Sequence, residues 1–159
     1  MKKNTVILFS VIVIFLFALV ISSNEDSLFD YDILTYPSSA EVTAPVAANE
    51  TLLIGFDIDT TNLNFGVIPG NGSFSKRFIN MTNQIEKAVK ISLKAQGAIY
   101  PYVNFSMNDF FLKGREKAVV KAYFYTAGAE AGNYSGEIIV TIKKPKYDFI
   151  YLFWGPRDE

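Results

Sequence analysis

The chain has 159 residues, half of them apolar, and its 15 basic and 16 acidic side chains give a formal net charge of −1. Cysteine and histidine are both absent, which excludes disulfides, zinc sites with the usual ligands, cysteine nucleophiles and serine–histidine relays. The near-neutral charge gives no reason to expect a nucleic-acid partner. We therefore expect one domain without cofactor or metal, and no enzyme, because nothing pairs a positioned base with a nucleophile.

The N-terminus predicts export. Lys2 and Lys3 precede a run at 6–21 in which a single residue is polar, and this arrangement places the following chain outside the cytoplasm. Sixteen residues are slightly few for a membrane span and slightly many for a signal peptide. The density of Ile, Val, Leu and Phe favours a retained transmembrane anchor over residues 1–21. The alternative is a signal peptide cleaved after Ser22 or Ser23, which would give a secreted protein.

Residues 22–49 read as a flexible acidic stalk. No basic residue occurs between Lys3 and Lys76, and the stretch lacks regular hydrophobic periodicity, as expected of a tether. Small exported domains of animals usually carry disulfides. An exported chain without cysteine therefore favours a bacterial or archaeal envelope.

Residues 50–145 carry a period-two alternation of apolar and polar side chains, which is typical of half-buried strands. This pattern predicts an all-β fold, a single antiparallel β-sandwich of about seven short strands behind the N-terminal helix. The predicted strands cover residues 52–58, 63–67, 74–81, 89–95, 103–106, 118–125 and 134–143.

Two stretches of this region resemble known families. A strand with Phe65-Gly66, a glycine turn at residues 69–72 and a strand leading to Asn83 resemble the opening of hydin-type and major-sperm-protein-like domains. Residues 130–138 are similar to the tyrosine-corner strand of immunoglobulin-like folds. The resemblance implies an immunoglobulin-like sandwich in which the Tyr134 hydroxyl fastens the corner to nearby backbone, and it implies no particular function.

The sequence contains more N-x-S/T motifs than its composition predicts. One or two would occur by chance, and five are present, which favours N-glycosylation of a surface protein. The alternative is that β-proteins are simply rich in Asn and Thr. The candidate asparagines are Asn49, Asn71, Asn80, Asn104 and Asn133.

Two further candidate sites are weaker. Asp57 and Asp59 offer oxygen ligands for calcium, but they lack the later bidentate glutamate of a full loop, and turn formation explains them more simply. Aromatic side chains are abundant and most are expected in the core. A carbohydrate platform is conceivable from Tyr100, Tyr102, Tyr123 and Tyr125.

The last residues, 146–159, include six consecutive large apolar side chains with no polar face. They are Phe149, Ile150, Tyr151, Leu152, Phe153 and Trp154. Three alternatives stay open for this possible interaction tail: a closing strand buried on both faces, a strand donated to a neighbouring subunit, or an aromatic anchor at the membrane interface. The closing strand is favoured, since a sandwich needs one.

Together these features favour a membrane-anchored module, outside the cytoplasm, with a structural, adhesion or envelope-assembly role. Its expected partners are the membrane, through residues 6–21, and a protein or surface polymer. The alternative is a secreted filament or matrix subunit that assembles by strand exchange.

Overall fold

The computed structural model describes residues 25–44 and 61–155. In this part of the chain eight strands follow a single helical turn, α1 (Glu25–Leu28), and two short 3₁₀ helices cover Tyr100–Tyr102 and Asp148–Leu152. The strands are β1 (Phe29–Thr43), β2 (Leu63–Pro69), β3 (Phe74–Thr82), β4 (Val89–Gly97), β5 (Val103–Phe105), β6 (Phe110–Leu112), β7 (Lys117–Tyr125) and β8 (Gly132–Pro145).

Several predicted features lie outside the described residues. They are the N-terminal apolar run at 6–21, the predicted strand at 52–58, the aspartates at 57 and 59, and the asparagine at 49. Within the residues that the structure does describe, no helix is long and apolar enough to cross a membrane.

The strands form two sheets. The larger has the order β2-β1-β8-β4-β6 and the smaller has the order β3-β7-β5. Neighbouring strands are antiparallel except for β1 and β2, which are parallel. The all-β prediction is confirmed, and six of the predicted strands appear as β2, β3, β4, β5, β7 and β8. The three-residue β6 was not predicted, because a run this short shows no alternation.

The core lies between the two sheets, where the inward positions of the strands meet. Val120, Phe124 and Ile138 are completely buried, and the Phe124 ring lies 5.7 Å from that of Phe65, centroid to centroid. The alternation of apolar residues along each strand supplies these positions, because successive side chains point to opposite faces of a sheet.

The stalk prediction is wrong for residues 29–43, which form β1. This strand pairs with β8 along nearly its whole length, from Phe29 opposite Pro145 to Val42 opposite Gly132. Among the described residues, β2 pairs with β1 only from Ser38 onward, so none of them needs a hydrogen bond from Pro37 on that side of β1. Composition did not reveal the strand, because most of its side chains are exposed and its partner is distant in sequence.

The prediction of a closing strand within residues 146–159 is also wrong. Residues Asp148–Leu152 form a 3₁₀ helix that buries Ile150. The position beside β8 that a closing strand would occupy is taken by β1 on one side and β4 on the other. The strand that lies beside β8 in place of a C-terminal strand is therefore β1, from the N-terminal part of the chain.

Gly136 is required where β8 passes β4. It pairs with Gly97, and a Cβ atom at position 136 would lie 2.0 Å from the carbonyl oxygen of Gln96. A contact of this length is impossible for real atoms, so no other residue fits without displacement of the backbone.

Candidate functional site

The outer face of the smaller sheet combines aromatic and basic side chains. On β7 the buried residues Val120, Ala122 and Phe124 alternate with outward-facing ones, and β3 alternates in the same way around buried Ile79. We call the outward set the aromatic face. It consists of Phe74, Lys76, Phe78, Lys121, Tyr123 and Tyr125.

Cross-strand pairing brings the members of the aromatic face together. Phe74 lies opposite Tyr125, Lys76 opposite Tyr123, and Phe78 opposite Lys121. The stacked rings of Tyr123 and Tyr125 have centroids 5.8 Å apart, and the Phe74 ring lies 6.0 Å and 5.8 Å from them. Phe74 is 57% exposed and Phe78 is 50% exposed. The result is a cluster of partly exposed aromatic rings on one face of the sheet, and exposed apolar clusters are characteristic of interaction sites.

The charge of the aromatic face is positive. Strands β3, β5 and β7 contain no Asp or Glu, while Lys76, Lys117 and Lys121 point outward. The Lys76 ammonium lies 5.6 Å from the centroid of the Phe78 ring. Arg77 turns away from this face and donates a hydrogen bond to the carbonyl oxygen of Asn64. Chemically, the surface can stack on flat apolar groups and pair with anions.

Only two of the four tyrosines proposed as a platform lie together. Tyr123 and Tyr125 belong to the aromatic face, whereas Tyr100 is exposed in the 3₁₀ helix before β5. Tyr102 packs on Phe124 and on Tyr134, at centroid distances of 5.6 Å and 5.1 Å. The sequence did not indicate that Phe74 and Phe78 complete the platform, because that depends on the register between β3 and β7.

Four of the five candidate glycosylation sites lie at exposed positions. Asn71 is in the turn before β3 with a φ of 72°, and Asn133 is near the start of β8. Asn80 and Asn104 lie on the outer face of the smaller sheet, opposite Val119 and Tyr123. A glycan at Asn80 or Asn104 would cover part of the aromatic face. Whether any asparagine is modified stays a prediction.

Tyr134 makes the contact that a tyrosine corner makes. Its hydroxyl donates a hydrogen bond to the carbonyl oxygen of Glu130, four residues upstream, at 2.8 Å. Burial raises the pKa of the Tyr134 phenol, and the neighbouring Tyr102 raises it further. The contact fixes the entry of the chain into β8.

The C-terminal tail, which we define as residues 147–155, folds over one end of the larger sheet. The Trp154 ring lies 5.2 Å from that of Phe29 and 4.9 Å from that of Phe111, centroid to centroid. The other large side chains are more open: Leu152 is 78% exposed and Phe153 is 89% exposed. The tail is therefore fastened by Ile150 and Trp154 and presents Leu152 and Phe153 to solvent.

A groove of about 330 Å³ opens between β1 and the end of β3. Leu34 and Tyr36 of β1 line one side, and Met81 and Ile85 line the other. Within the described residues, β1 has no second neighbour here, because its pairing with β2 begins at Ser38. In this part of the chain an apolar groove thus lies beside a strand edge that no described strand pairs with, and such an arrangement can accept a further strand.

Comparison with known proteins identifies no family. No family model matches the chain, and no curated protein matches it. Among solved structures, the chain is similar to a Burkholderia pseudomallei antigen and type I fimbria protein, with 11% sequence identity and a TM-score of 0.30 over 72% of this chain and 98% of that one. The resemblance to hydin-type and major-sperm-protein-like domains therefore stays a prediction.

Proposed function

We propose that this protein is an exported β-sandwich module, held at the membrane by residues 6–21, that binds an acidic polysaccharide of the cell surface through its aromatic face. The observation that carries the proposal is the aromatic face itself. It joins exposed stacked rings to lysines, and the strands that form it contain no carboxylate.

The chemistry of the aromatic face favours this class of ligand. Sugar rings have apolar faces that stack on exposed aromatic rings, and the carboxylate or sulfate groups of acidic polymers pair with lysine. Lys76 and Lys121 flank the rings of Tyr123 and Phe78 in the strand register, so stacking and charge pairing can occur on the same sugar unit. An exported domain meets such polymers before it meets nucleic acids.

Binding of purified full-length protein in detergent to polygalacturonate, with neutral dextran as comparison, tests this function. We expect binding to the acidic polymer alone, weakening as salt rises. The single variant Lys121→Glu should weaken binding to the acidic polymer about tenfold or more, which corresponds to about 1.4 kcal/mol. The double variant Phe74→Ser with Tyr125→Ser should weaken it by a similar factor. Lys94→Glu, at an exposed position on β4 of the other sheet, is the matched control and should bind normally. Equal effects of Lys121→Glu and Lys94→Glu would refute the proposal.

Membrane anchoring is tested separately. If residues 6–21 are retained, the native protein fractionates with membranes and resists extraction with alkaline carbonate. A mature N-terminus at Ser23 or Asn24, determined by mass spectrometry, would contradict anchoring and leave polymer binding unaffected.

A second candidate function, assembly by strand exchange, is favoured by the position of β1. This strand lies between β2 and β8 and contributes buried Ala40 and Val42 to the core. In an immunoglobulin-like sandwich, the strand that carries the tyrosine corner pairs with the last strand of the chain. Here β8 carries that contact, and one of its two neighbours is β1, the first strand of the described residues. Such a strand can be supplied by a neighbouring copy without change in the remaining fold.

The link between β1 and β2 is long enough for exchange. Thr43 pairs with Pro69 and Ser38 with Leu63, so the link has to run from the end of β1 back to the start of β2. That distance is the length of about six strand residues, roughly 20 Å. Residues 44–62 can span up to about 60 Å when extended. This spare length allows β1 to reach a neighbouring copy.

Because the chain lacks cysteine, introduced cysteines test strand exchange cleanly. Thr35 lies opposite Ile139 in the β1–β8 register. Thr35→Cys protein and Ile139→Cys protein, unfolded together, refolded and oxidised, should form a mixed disulfide dimer only if β1 of one copy pairs with β8 of another. Thr35→Cys with Lys121→Cys, on the other sheet, is the control mixture. Absence of the mixed dimer, together with internal closure of the double variant, would exclude exchange.

A further inference from the structure

The C-terminal tail leaves several large apolar side chains in water. Leu152 and Phe153 are adjacent and are among the most exposed apolar residues described, and Tyr147 and Phe149 stack on each other at half exposure, 5.8 Å between ring centroids. Exposed apolar clusters of this kind mark surfaces that bind a partner or a membrane. Neither polymer binding nor strand exchange makes use of this cluster.

The tail lies at the end of the sandwich where the N-terminal segment enters. Lys146 donates its backbone N–H to the carbonyl oxygen of Leu28 at 2.9 Å, and Trp154 packs on Phe29. Residues 22–24 separate the apolar run from α1, and they can span no more than about 14 Å. This short link keeps the tail near residue 21, because the tail contacts Leu28 and Phe29.

We infer that the C-terminal tail is a membrane-contact element that inserts Leu152 and Phe153 into the surface of the bilayer holding residues 6–21. This inference rests on the proposed anchoring. A helix of sixteen residues rises about 24 Å, less than the ~30 Å thickness of the hydrocarbon layer. A span that is too short is accommodated by thinning of the bilayer around it or by residues that flank it, and here the chain that follows the span, at Leu28 and Phe29, contacts the tail.

The composition of this end suits the interface between lipid and water. Aromatic side chains and lysines concentrate at membrane interfaces, and the Lys87 ammonium lies 5.0 Å from the centroid of the Tyr151 ring. Lysines nearby are balanced by carboxylates: Lys144 pairs with Asp32 at 2.9 Å and Lys87 pairs with Asp148. Insertion is therefore driven by apolar burial, and a zwitterionic bilayer suffices.

Trp154 is the single tryptophan of the chain, so its fluorescence reports on the tail alone. The experiment places the full-length protein in phosphatidylcholine vesicles that contain lipids brominated either near the headgroup or near the chain end. We expect strong quenching of Trp154 by bromine near the headgroup, weaker quenching by bromine at the chain end, and no dependence on salt. Leu152→Ser with Phe153→Ser should abolish most of the quenching while the protein stays in the vesicles. Val67→Ser with Val119→Ser, which alters apolar residues of about half exposure elsewhere, should leave it unchanged.

The outcomes separate the two proposals. Unquenched Trp154 in protein that remains with the vesicles overturns the tail contact and leaves anchoring intact. Protein that leaves the vesicles on carbonate treatment overturns anchoring. If the fluorescence instead shifts with protein concentration in lipid-free detergent, and Leu152→Ser with Phe153→Ser removes the shift, the tail contacts a second copy and the membrane inference is wrong.

Discussion

Asn83 is the buried polar side chain whose replacement should cost most. It is 6% exposed, and its amide nitrogen donates to the carbonyl oxygens of Lys87 at 2.8 Å, Leu112 at 3.1 Å and Lys113 at 2.9 Å. Its amide oxygen accepts the backbone N–H of Ile85 at 3.2 Å. One side chain thus ties the end of β3 to the chain before β4 and to the end of β6.

The expected cost of Asn83→Ala follows from these contacts. Each intramolecular hydrogen bond contributes about 1 kcal/mol net, and a buried group left without a partner costs at least as much. The Asn83 side chain shares two amide hydrogens among three acceptors and also accepts the bond from Ile85. Loss of these hydrogen bonds should lower the free energy of unfolding by about 3 kcal/mol. For a domain of this size that corresponds to a fall of about 12 °C in the melting temperature.

Asn83→Asp should lower the free energy of unfolding more at neutral pH than in acid. The new carboxylate would face three carbonyl oxygens, which raises its pKa above the ordinary value near 4. A group with a raised folded-state pKa is least destabilising below its unfolded pKa, and stability is lost as the pH rises through the folded value. The variant should therefore approach the wild type as the pH falls to about 4.

Urea unfolding and calorimetry of the purified full-length protein measure these losses. Asn80→Ala is the matched control, since Asn80 lies on β3, three residues before Asn83, and is exposed. It should change the free energy of unfolding by less than about 0.5 kcal/mol. Equal melting temperatures for the Asn83→Ala and Asn80→Ala variants would refute the reasoning.

Three further predictions follow from the same structure. Gly136→Ala should lower the free energy of unfolding by about 3 kcal/mol or more in urea titration, because the added Cβ meets the Gln96 carbonyl oxygen at 2.0 Å, and an unchanged midpoint would contradict this. The pKa values of Tyr134 and Lys144 are raised, by burial and by a hydrogen bond to Asp32 respectively, so their contribution is complete below the ordinary values of 10.0 and 10.5 and is lost as the pH rises further. Thermal melts from pH 8 to 12 should show this loss, and Tyr134→Phe should reduce it. The intact mass of the native protein should exceed that of the polypeptide by at least two glycans, and enzymatic removal of any glycan on the aromatic face should increase polymer binding.

The local pattern of apolar and polar residues was sufficient to predict most of the described strands. The alternation in 89–95 and 118–125 predicted β4 and β7, because a half-buried strand must place apolar residues at every second position. The same alternation explains why Phe124 lies in the core and why Asn80 and Asn104 lie on the outer face, since exposure alternates with burial along a strand.

Pairing between distant residues could not be read in this way. The mostly exposed side chains of β1 carry little pattern, and its strand character comes from hydrogen bonds to β8, about one hundred residues later. The aromatic face likewise exists only because the β3–β7 register sets Phe74 beside Tyr125. Neither residue type nor spacing along the chain fixes that register.

By itself, the sequence determined a cysteine-free chain with a two-sided β domain, because composition and alternation are local properties. Tertiary structure decided which segment closes the sandwich. Once β1 occupies the place beside β8, the apolar tail is not needed as a strand, and it folds as a 3₁₀ helix against Phe29 and Phe111. Only one strand can satisfy the free edge of β8, and which one does so depends on the contacts of the whole fold.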